Sequence, residues 1–329
     1  MSAIEQFSPT NDDRDAEEGI IDEGLTPLSI SRPVRRALDF ATQTELGTLD
    51  TNVGYSARVW AQVSLPYNDP GNVPYWERKN GAVSLTMRPA LLTRPDGSRY
   101  EAYAYGLLPR KALTWLASEA VRTQDPVLKL GRSMNAFMEK IGIAHGGRDA
   151  RLLTDQLQRL FGSQLSVQGL AVGPDGDRGE VTKYFTIADQ VQLWFTKNDE
   201  LGKTNTGLWS SEVSLNHEFF KSIVDAPVPV NLEAIKALGR SPMRHDMYLW
   251  FTYRMYSLQR ITRIRWEDLN AQFGGQYAES RQFKAQFIKH LDVVRIVYPE
   301  LNLNLTPEFL VLHPSLTHVA QTKARRQLI

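Results

Sequence analysis

The chain has no cysteine among its 329 residues. This absence excludes disulfide bridges, catalysis by a cysteine thiolate and zinc sites built from cysteines. It also fits a protein of the reducing cytoplasm, which is the location we expect. No stretch is long and apolar enough for a transmembrane helix, and the first residues, MSAIEQFSPTNDD, lack the features of a signal peptide. A hydrophobic content of 42% is ample for a packed core.

The chain also has little net charge, +1, but its charges are unevenly distributed. The N-terminal end is acidic, with only Arg14 opposing Glu5, Asp12, Asp13, Asp15, Glu17, Glu18, Asp22 and Glu23. The C-terminal part is basic and carries Arg240, Arg244, Arg254, Arg260, Arg263, Arg265, Arg281, Lys284, Lys289 and Arg295, before an ending KARRQLI. Because basic clusters attract phosphate backbones, this part of the chain favours a nucleic-acid partner.

The length allows about two domains. We expect residues 1–50 to be an acidic, largely disordered segment with one short helix, from Pro33 to Glu45, because large apolar residues are scarce before it. Residues 51–213 form the first predicted domain and residues 214–318 the second. Residues 319–329 form a basic tail.

The first domain begins with sequence typical of strands. Alternating apolar residues predict strands within residues 56–67, 81–92 and 98–106. The sequence YNDPGNVPYWERKNG between the first two predicts a long loop, and TRPDGS between the other two predicts a tight turn. These strands would extend the first domain with an N-terminal hairpin or sheet.

One order of elements occurs twice: helix, strand, helix, helix, strand, strand. The first copy spans Leu107–Thr123, Leu128–Leu130, Arg132–Gly142, Arg148–Gly162 and the strands SQLSVQGLAV and EVTKYFTIA around the turn GPDGDRG. The second copy spans Arg244–Leu258, Ile261–Trp266, Trp266–Gly274, Ser280–Tyr298 and the strands LNLNL and FLVLH. This is the order of a winged helix, so we predict an α+β fold of tandem winged-helix domains. Two strands, a helix capped by Ser214 and a helix from Asn231 to Leu238 join the copies.

The last helix of each copy has an apolar face and a polar face when its residues are placed about 100° apart. In the second copy the apolar face is Phe283, Phe287, Leu291, Val294 and Tyr298, and the opposite face is Arg281, Gln282, Ala285 and Lys289. In the first copy Ala150, Leu153, Leu157, Leu160 and Phe161 lie inward, and the outward residues are Arg148, Arg151, Asp155, Gln158 and Arg159.

The outward faces supply the candidate DNA-binding residues. Arg pairs with guanine edges, Gln with adenine edges and Lys with phosphates, so these side chains can read or hold a duplex. The predicted set is Arg148, Arg151, Gln158, Arg159, Arg263, Arg265, Arg281, Gln282, Lys284 and Lys289. The alternative is that they are ordinary solvated residues, with Arg151 paired to Asp155 at helical spacing.

Several blocks of sequence, in order, resemble the family of RepA-type plasmid replication initiators. They are YGLLPRKALTWLASEAVRT, LKLGRSMNAFMEKIGI, LLTDQLQRLF, LWSSEVSLNHEFF, PVPVNLEAIKAL, SPMRHDMYLWFTYRM, TRIRWEDLNAQFG and FKAQF, between Tyr105 and His318. The resemblance implies tandem winged helices that bind repeated double-stranded sites at a plasmid origin, open the DNA locally and recruit the host initiator and replicative helicase. It further implies repression of the protein's own promoter, by a homodimer, and a nucleoid- or plasmid-associated location.

No pattern favours an enzyme, a metal site or a cofactor. GKT at Gly202–Thr204 lacks the glycine that a phosphate-binding loop has five residues earlier, where Lys197 stands. The histidines include no close pair on one strand of the kind that binds metal in rolling-circle initiators: His145, His217, His245, His290, His313 and His318. Two other functions remain open: a DNA-binding transcription regulator that never initiates replication, and a protein-interaction scaffold.

Overall fold

The structure is a computed structural model that describes residues 30–49, 52–172, 177–192, 211–274 and 279–319. The fold is mixed α+β, as predicted. Four predicted features lie outside the described residues: the acidic segment before residue 30, the tip of the GPDGDRG turn, the loop that contains GKT, and the basic tail from residue 320.

The N-terminal part begins with helix α1, Arg32–Glu45, which has Pro33 in its first turn and agrees with the prediction. Strand β1 is Val53–Ser56 and helix α2 is Arg58–Gln62. The prediction of a strand through residues 56–67 was therefore wrong over α2. Trp60 and Ala61 are both buried, and a helical turn can bury two consecutive side chains that a strand would place on opposite faces.

Four strands follow in two hairpins, and their bounds are β2, Trp76–Asn80; β3, Val83–Arg88; β4, Ala90–Thr93; and β5, Arg99–Ala102. The loop predicted before β3 was wrong in part, because β2 lies inside it and pairs with β3. The predicted TRPDGS turn joins β4 to β5, where the Asp96 carboxylate accepts a hydrogen bond from the backbone N–H of Ser98.

The first copy follows the predicted order, with bounds α3, Leu107–Thr123; β6, Val127–Lys129; α4, Met134–Lys140; α5, Gly147–Gly162; β7, Gln164–Val172; and β8, Arg178–Phe185. Ser133 caps α4 by accepting a hydrogen bond from the backbone N–H of Ala136. Gly142, with φ of +64°, follows that helix, so the predicted cap and stop are both confirmed.

The connection between the copies comprises β9, Ala188–Gln192; β10, Glu212–Leu215; α6, His217–Asp225; β11, Val228–Asn231; and α7, Leu232–Ala237. Ser214 was the wrong cap for α6, because it lies within β10. Asn216 is the cap, and its Oδ1 accepts hydrogen bonds from the N–H groups of Glu218 and Phe219. The domain boundary predicted at residue 214 falls inside β10 and stays a prediction.

The second copy also follows the predicted order, with bounds α8, Pro242–Ser257; β12, Thr262–Arg265; α9, Trp266–Leu269; a π-helical turn, Asn270–Gly274; α10, Ser280–Val297; β13, Leu303–Leu305; and β14, Phe309–Leu312. Its three strands form an antiparallel sheet in the order β12-β14-β13.

The sheets of the first copy are arranged differently. Strands β7 and β8 extend the β2–β3 hairpin into a four-stranded sheet, β2-β3-β7-β8. Strand β6 pairs instead with β10, in the order β6-β10-β9. The two halves of the chain also interleave, since β1 pairs with β11 and α1 packs against both α7 and α10. The buried apolar side chains consequently form one continuous core.

Candidate nucleic-acid interface

Helix α5 has the two faces that its sequence predicts. It buries Leu153, Leu157, Leu160 and Phe161. Arg148, Arg151 and Gln158 are exposed, and we call these three residues the α5 ridge. The ridge carries two guanidinium groups and one amide that no internal ion pair of the described residues engages, so these side chains are free to contact a ligand.

Arg159, the fourth residue predicted for this surface, is engaged inside the protein. Its Nε lies 2.8 Å from the Asp155 carboxylate and its Nη1 lies 3.4 Å from that of Asp69. Its guanidinium also lies over the Tyr105 ring, 5.6 Å from the centroid. The helical position is outward, as predicted, but the loop that carries Asp69 covers it. Asp155 therefore pairs with Arg159, and the alternative pairing of Arg151 with Asp155 is not present.

Helix α10 repeats the arrangement of α5. Its predicted apolar stripe is buried, comprising Phe283, Phe287, Leu291, Val294 and Tyr298. Arg281, Gln282 and Lys289 are exposed on the other side, and we call these three residues the α10 ridge. The first turn of α10 contains no acidic residue, and the carboxylate of Glu279, which directly precedes the helix, forms no ion pair with Arg281.

Lys284, also predicted to bind DNA, instead supports the hairpin of the second copy. Its Nζ donates hydrogen bonds to the carbonyl oxygens of Thr306 (3.1 Å) and Pro307 (2.9 Å), in the turn between β13 and β14. The same ammonium group lies 4.7 Å from the ring centroid of Trp266, whose indole N–H donates to the Thr306 carbonyl. The contacts fix this turn relative to α10.

Arg263 and Arg265 lie on β12, two residues apart and therefore on one face of the strand. Both are exposed. Arg265 donates to the Asp268 carboxylate, with N–O distances of 3.1 and 3.3 Å, whereas Arg263 has no such pair among the described residues. The strand that carries both arginines directly precedes α9 in the chain.

A buried ion pair joins the two copies. Arg110 in the first turn of α3 and Asp246 in α8 are 3% and 4% exposed. Two nitrogens of Arg110 donate to the two Asp246 oxygens, at 2.8 Å each, and its remaining N–H groups donate to the carbonyl oxygens of Leu65, Pro66 and Gly106. A guanidinium has five N–H donors, so every one is used. Burial by itself raises the pKa of Asp246, but Arg110 reverses this and holds it below the ordinary value.

This ion pair lies on a continuous path between the two ridges. Helix α5 packs against α3, α3 against α8, and α8 against α10. A second link connects the N-terminal sheet to the second copy, where buried Arg78 of β2 donates to the Gln272 carbonyl at 2.9 Å. The sequence contains no signal for either link, because the partners are 136 and 194 residues apart. Their effect is to fix the spacing between α5 and α10.

Within the described ranges, no group of three or more histidine, aspartate or glutamate side chains is placed to hold a metal ion. In the same part of the chain, no helix has both the length and the hydropathy needed to cross a membrane.

Two solved structures are similar to the chain at low identity, and both contain domains 2 and 3 of RctB. One, a selenomethionine derivative, has a TM-score of 0.48 and 12% identity over 79% of this chain and 98% of its own. The other has a TM-score of 0.48 and 13% identity over 77% and 94%. At this level the likeness says nothing further about function. A comparison with curated protein sequences gives no match.

The family described as plasmid-encoded RepA protein matches residues 103–268, which is half of the chain. The match begins just before α3, contains all of α5 and the buried Arg110–Asp246 pair, and ends within α9. It agrees with the resemblance seen in the sequence blocks from Tyr105 onward. The chain therefore belongs to the family of plasmid-encoded RepA proteins.

Proposed function

We propose that this protein initiates plasmid replication by binding repeated double-stranded sites at the plasmid origin through α5 and α10. Family membership supports the role in plasmid replication. The observation that carries the DNA-binding part is the pair of exposed ridges. Each follows the same element order, each lies opposite a buried apolar face, and each presents donors that suit base edges and phosphates.

The arrangement of the second copy supports a winged helix. Its first strand pairs with its last, and its last with its middle strand, so the copy has a three-stranded sheet that ends in a hairpin. Lys284 of α10 donates hydrogen bonds to the turn of that hairpin. We propose that α10 enters the major groove and that the β13–β14 hairpin is the wing. In the first copy β6 pairs with β10 and the β7–β8 hairpin joins a larger sheet, so its winged helix would be a variant.

The two ridges would bind two successive major grooves on one face of the duplex, about 10.5 base pairs apart. The packing path through Arg110 and Asp246 supports this geometry because it fixes the spacing before DNA is bound. Such preorganisation reduces the ordering that binding would otherwise require.

The ten predicted residues then have different roles. Arg281 and Gln282 would read base edges, as would Arg148 and Gln158, while Arg151, Lys289 and the β12 arginines would hold phosphates. Arg159 and Lys284 are used internally and would position the ridge and the wing. We further propose two domains that meet near β10, a homodimer in autorepression, recruitment of a host initiator and helicase, and a cytoplasmic location.

The test begins with selection of bound sites from random DNA, followed by a search for repeats beside the gene. Arg281→Ala should weaken binding to the selected site by about 1–3 kcal/mol and relax the preference at one base. Lys289→Ala is the matched change on the same helix, and it should weaken binding equally on all sequences. Protection of a single groove in a footprint would contradict the two-ridge geometry.

A separate assay tests initiation itself. A plasmid that carries the selected repeats should replicate only when the protein is supplied, and supply of the Arg281→Ala variant should lower its copy number. Repression of the promoter without any replication would instead identify a transcription regulator.

A further inference from the structure

Five basic side chains from four helices and one turn converge where α7 ends and α8 begins. They come from α1, α3, α7, the turn after α7, and α8, and they are Arg36, Lys111, Lys236, Arg240 and Arg244. We call them the basic cluster. Lys236, Arg240 and Arg244 follow one another at intervals of four residues in the sequence, whereas Arg36 and Lys111 come from distant segments.

Two glycines, Gly239 and Gly142, lie close to these basic side chains. A Cβ atom added to Gly239 would lie 2.7 Å from Arg36 Nη1 and 4.0 Å from Arg244 Nη1. One added to Gly142 would lie 3.6 Å from Lys111 Nζ and 3.1 Å from Lys236 Cγ. The backbone at both positions is in the left-handed region, with φ of +72° and +64°, which favours glycine. The missing side chains let the cations approach one another.

Arg244 is the unusual member of the cluster. It is 8% exposed, yet its Nε and Nη1 atoms are buried and have no hydrogen-bond partner among the described residues. Burial, and then the neighbouring Arg36, lower the pKa of Arg244 to about 10. By contrast, all five donors of Arg110, which is similarly buried, are used. A buried cation without an anion is costly, so Arg244 is suited to a negatively charged ligand.

In the part of the chain that the structure describes, the rest of the cluster is also short of negative charge. Burial, followed by Lys236, Arg240 and Arg36, lowers the pKa of Lys111 to about 8. Two acids touch the outer members: Glu233 lies 2.7 Å from Lys236 Nζ, and Asp149 lies 3.9 Å from an Arg240 nitrogen. Neither is paired with Arg36 or Arg244. The 16-residue helix α8 starts here as well, and its N-terminal end carries partial positive charge.

We propose that the basic cluster binds a phosphate group of the DNA backbone, next to the groove contacted by α5. Arg36 and Arg244 would donate to the phosphate oxygens, and Lys111 would add charge. The link to α5 is Arg240, which contacts Asp149 in the first turn of that helix, beside Arg148. The assignment to DNA rests on the proposed function, whereas the preference for an oxyanion rests on the cluster alone.

The first measurement is the salt dependence of binding to a duplex of random sequence. Each phosphate contact contributes about 0.9 to the slope of log K against log salt concentration. Arg244→Met and Arg36→Met should each reduce the slope by about that amount, and the double variant by no more than either, because both hold one phosphate. Arg122→Met is the control, since it removes the same charge at the other end of α3 and should leave the slope unchanged. Unchanged slopes in both cluster variants would overturn the proposal.

The second measurement is thermal unfolding without DNA, in sodium phosphate and in sodium chloride of equal ionic strength. Phosphate stabilises folded proteins in general, so it should raise the Tm of both proteins, but by more in the wild type than in Arg244→Met. In chloride, Arg244→Met should be at least as stable as the wild type. If Arg244→Met is less stable than the wild type and phosphate affects the two proteins equally, Arg244 only packs the core.

The two measurements together decide the ligand. If phosphate stabilises the wild type more than Arg244→Met but the DNA slopes are unchanged, the site takes free phosphate groups, against the proposal. If the wild type binds no DNA at all, the proposed function fails, and the unfolding data still decide whether the cluster binds an oxyanion.

Discussion

Arg110 and Asp246 form a two-point ion pair in the core, with N–O distances of 2.8 Å on both sides, although they belong to different copies of the repeated element order. Because α3 carries one residue and α8 the other, the pair connects the helices on which α5 and α10 rest. Removing one partner would leave a charge in the core without compensation.

The first prediction concerns this pair. Asp246→Asn should lower the free energy of unfolding by about 3–5 kcal/mol, because Arg110 then stays buried and uncompensated. The double variant Arg110→Met/Asp246→Leu should be much less destabilised, since it removes both charges. Glu119→Gln, which breaks the exposed pair with Arg122, should cost less than about 1 kcal/mol. Urea denaturation measures all three, and equal losses in Asp246→Asn and Glu119→Gln would contradict the prediction.

The second prediction separates two arginines on α5. Arg151→Gln should leave stability unchanged and reduce the salt slope of DNA binding by about 0.9, because the side chain is exposed and free to hold a phosphate. Arg159→Gln should leave the salt slope unchanged. It should lower stability by about 1 kcal/mol, because it breaks the contacts with Asp155 and Asp69. The same two assays on both proteins provide the comparison. If Arg159→Gln reduced the salt slope while Arg151→Gln lowered stability, Arg159 would belong to the DNA-contacting surface.

The third prediction makes the same distinction on α10. Lys284→Met removes two hydrogen bonds to the β13–β14 turn and the ammonium group over the Trp266 ring, so stability should fall by about 1–2 kcal/mol. Lys289→Met should leave stability unchanged and weaken DNA binding. Hydrogen exchange of the Thr306 and Phe309 amides should become faster only in Lys284→Met. If exchange there is unaffected, Lys284 does not hold the hairpin.

The fourth prediction concerns pH. Burial lowers the pKa of His318 and, against the opposing effect of Asp246, that of His245. Both are therefore neutral when folded and take up a proton on unfolding below about pH 6.5. The free energy of unfolding should be greatest above that pH and fall as the pH is lowered toward the folded-state values, by at most about 1.4 kcal/mol per pH unit for each histidine.

His318→Gln checks this pH dependence. His318 Nδ1 lies 2.7 Å from the Tyr248 hydroxyl, and glutamine can keep a hydrogen bond there while it cannot titrate. Urea midpoints between pH 5 and 8 should vary less in this variant than in the wild type. His217→Gln, which changes an exposed residue at the start of α6, is the control and should leave the profile unaltered. Identical profiles for all three proteins would exclude a role for His318.

Local periodicity determined much of this protein in advance. The buried stripes of α5 and α10, the cap at Ser133 and the stop at Gly142 all depend on residues within a few positions of one another. The exposed ridges follow from the same periodicity, since burying one face of a helix leaves the other to solvent. Where the sequence failed, at Arg58–Gln62 and Trp76–Asn80, the local pattern was compatible with more than one element, and packing against distant segments selected one.

The sequence by itself thus determined the order of elements, the two amphipathic helices and the family to which the chain belongs. Only the tertiary structure decided that Arg159 and Lys284 face internal partners, that Arg110 meets Asp246, and that Arg36 and Arg244 lie together with no acid of the described residues paired to them. The physical reason is that a helix face is set by residues three or four positions apart, whereas the partner of a charge is set by whichever distant segment the fold brings beside it.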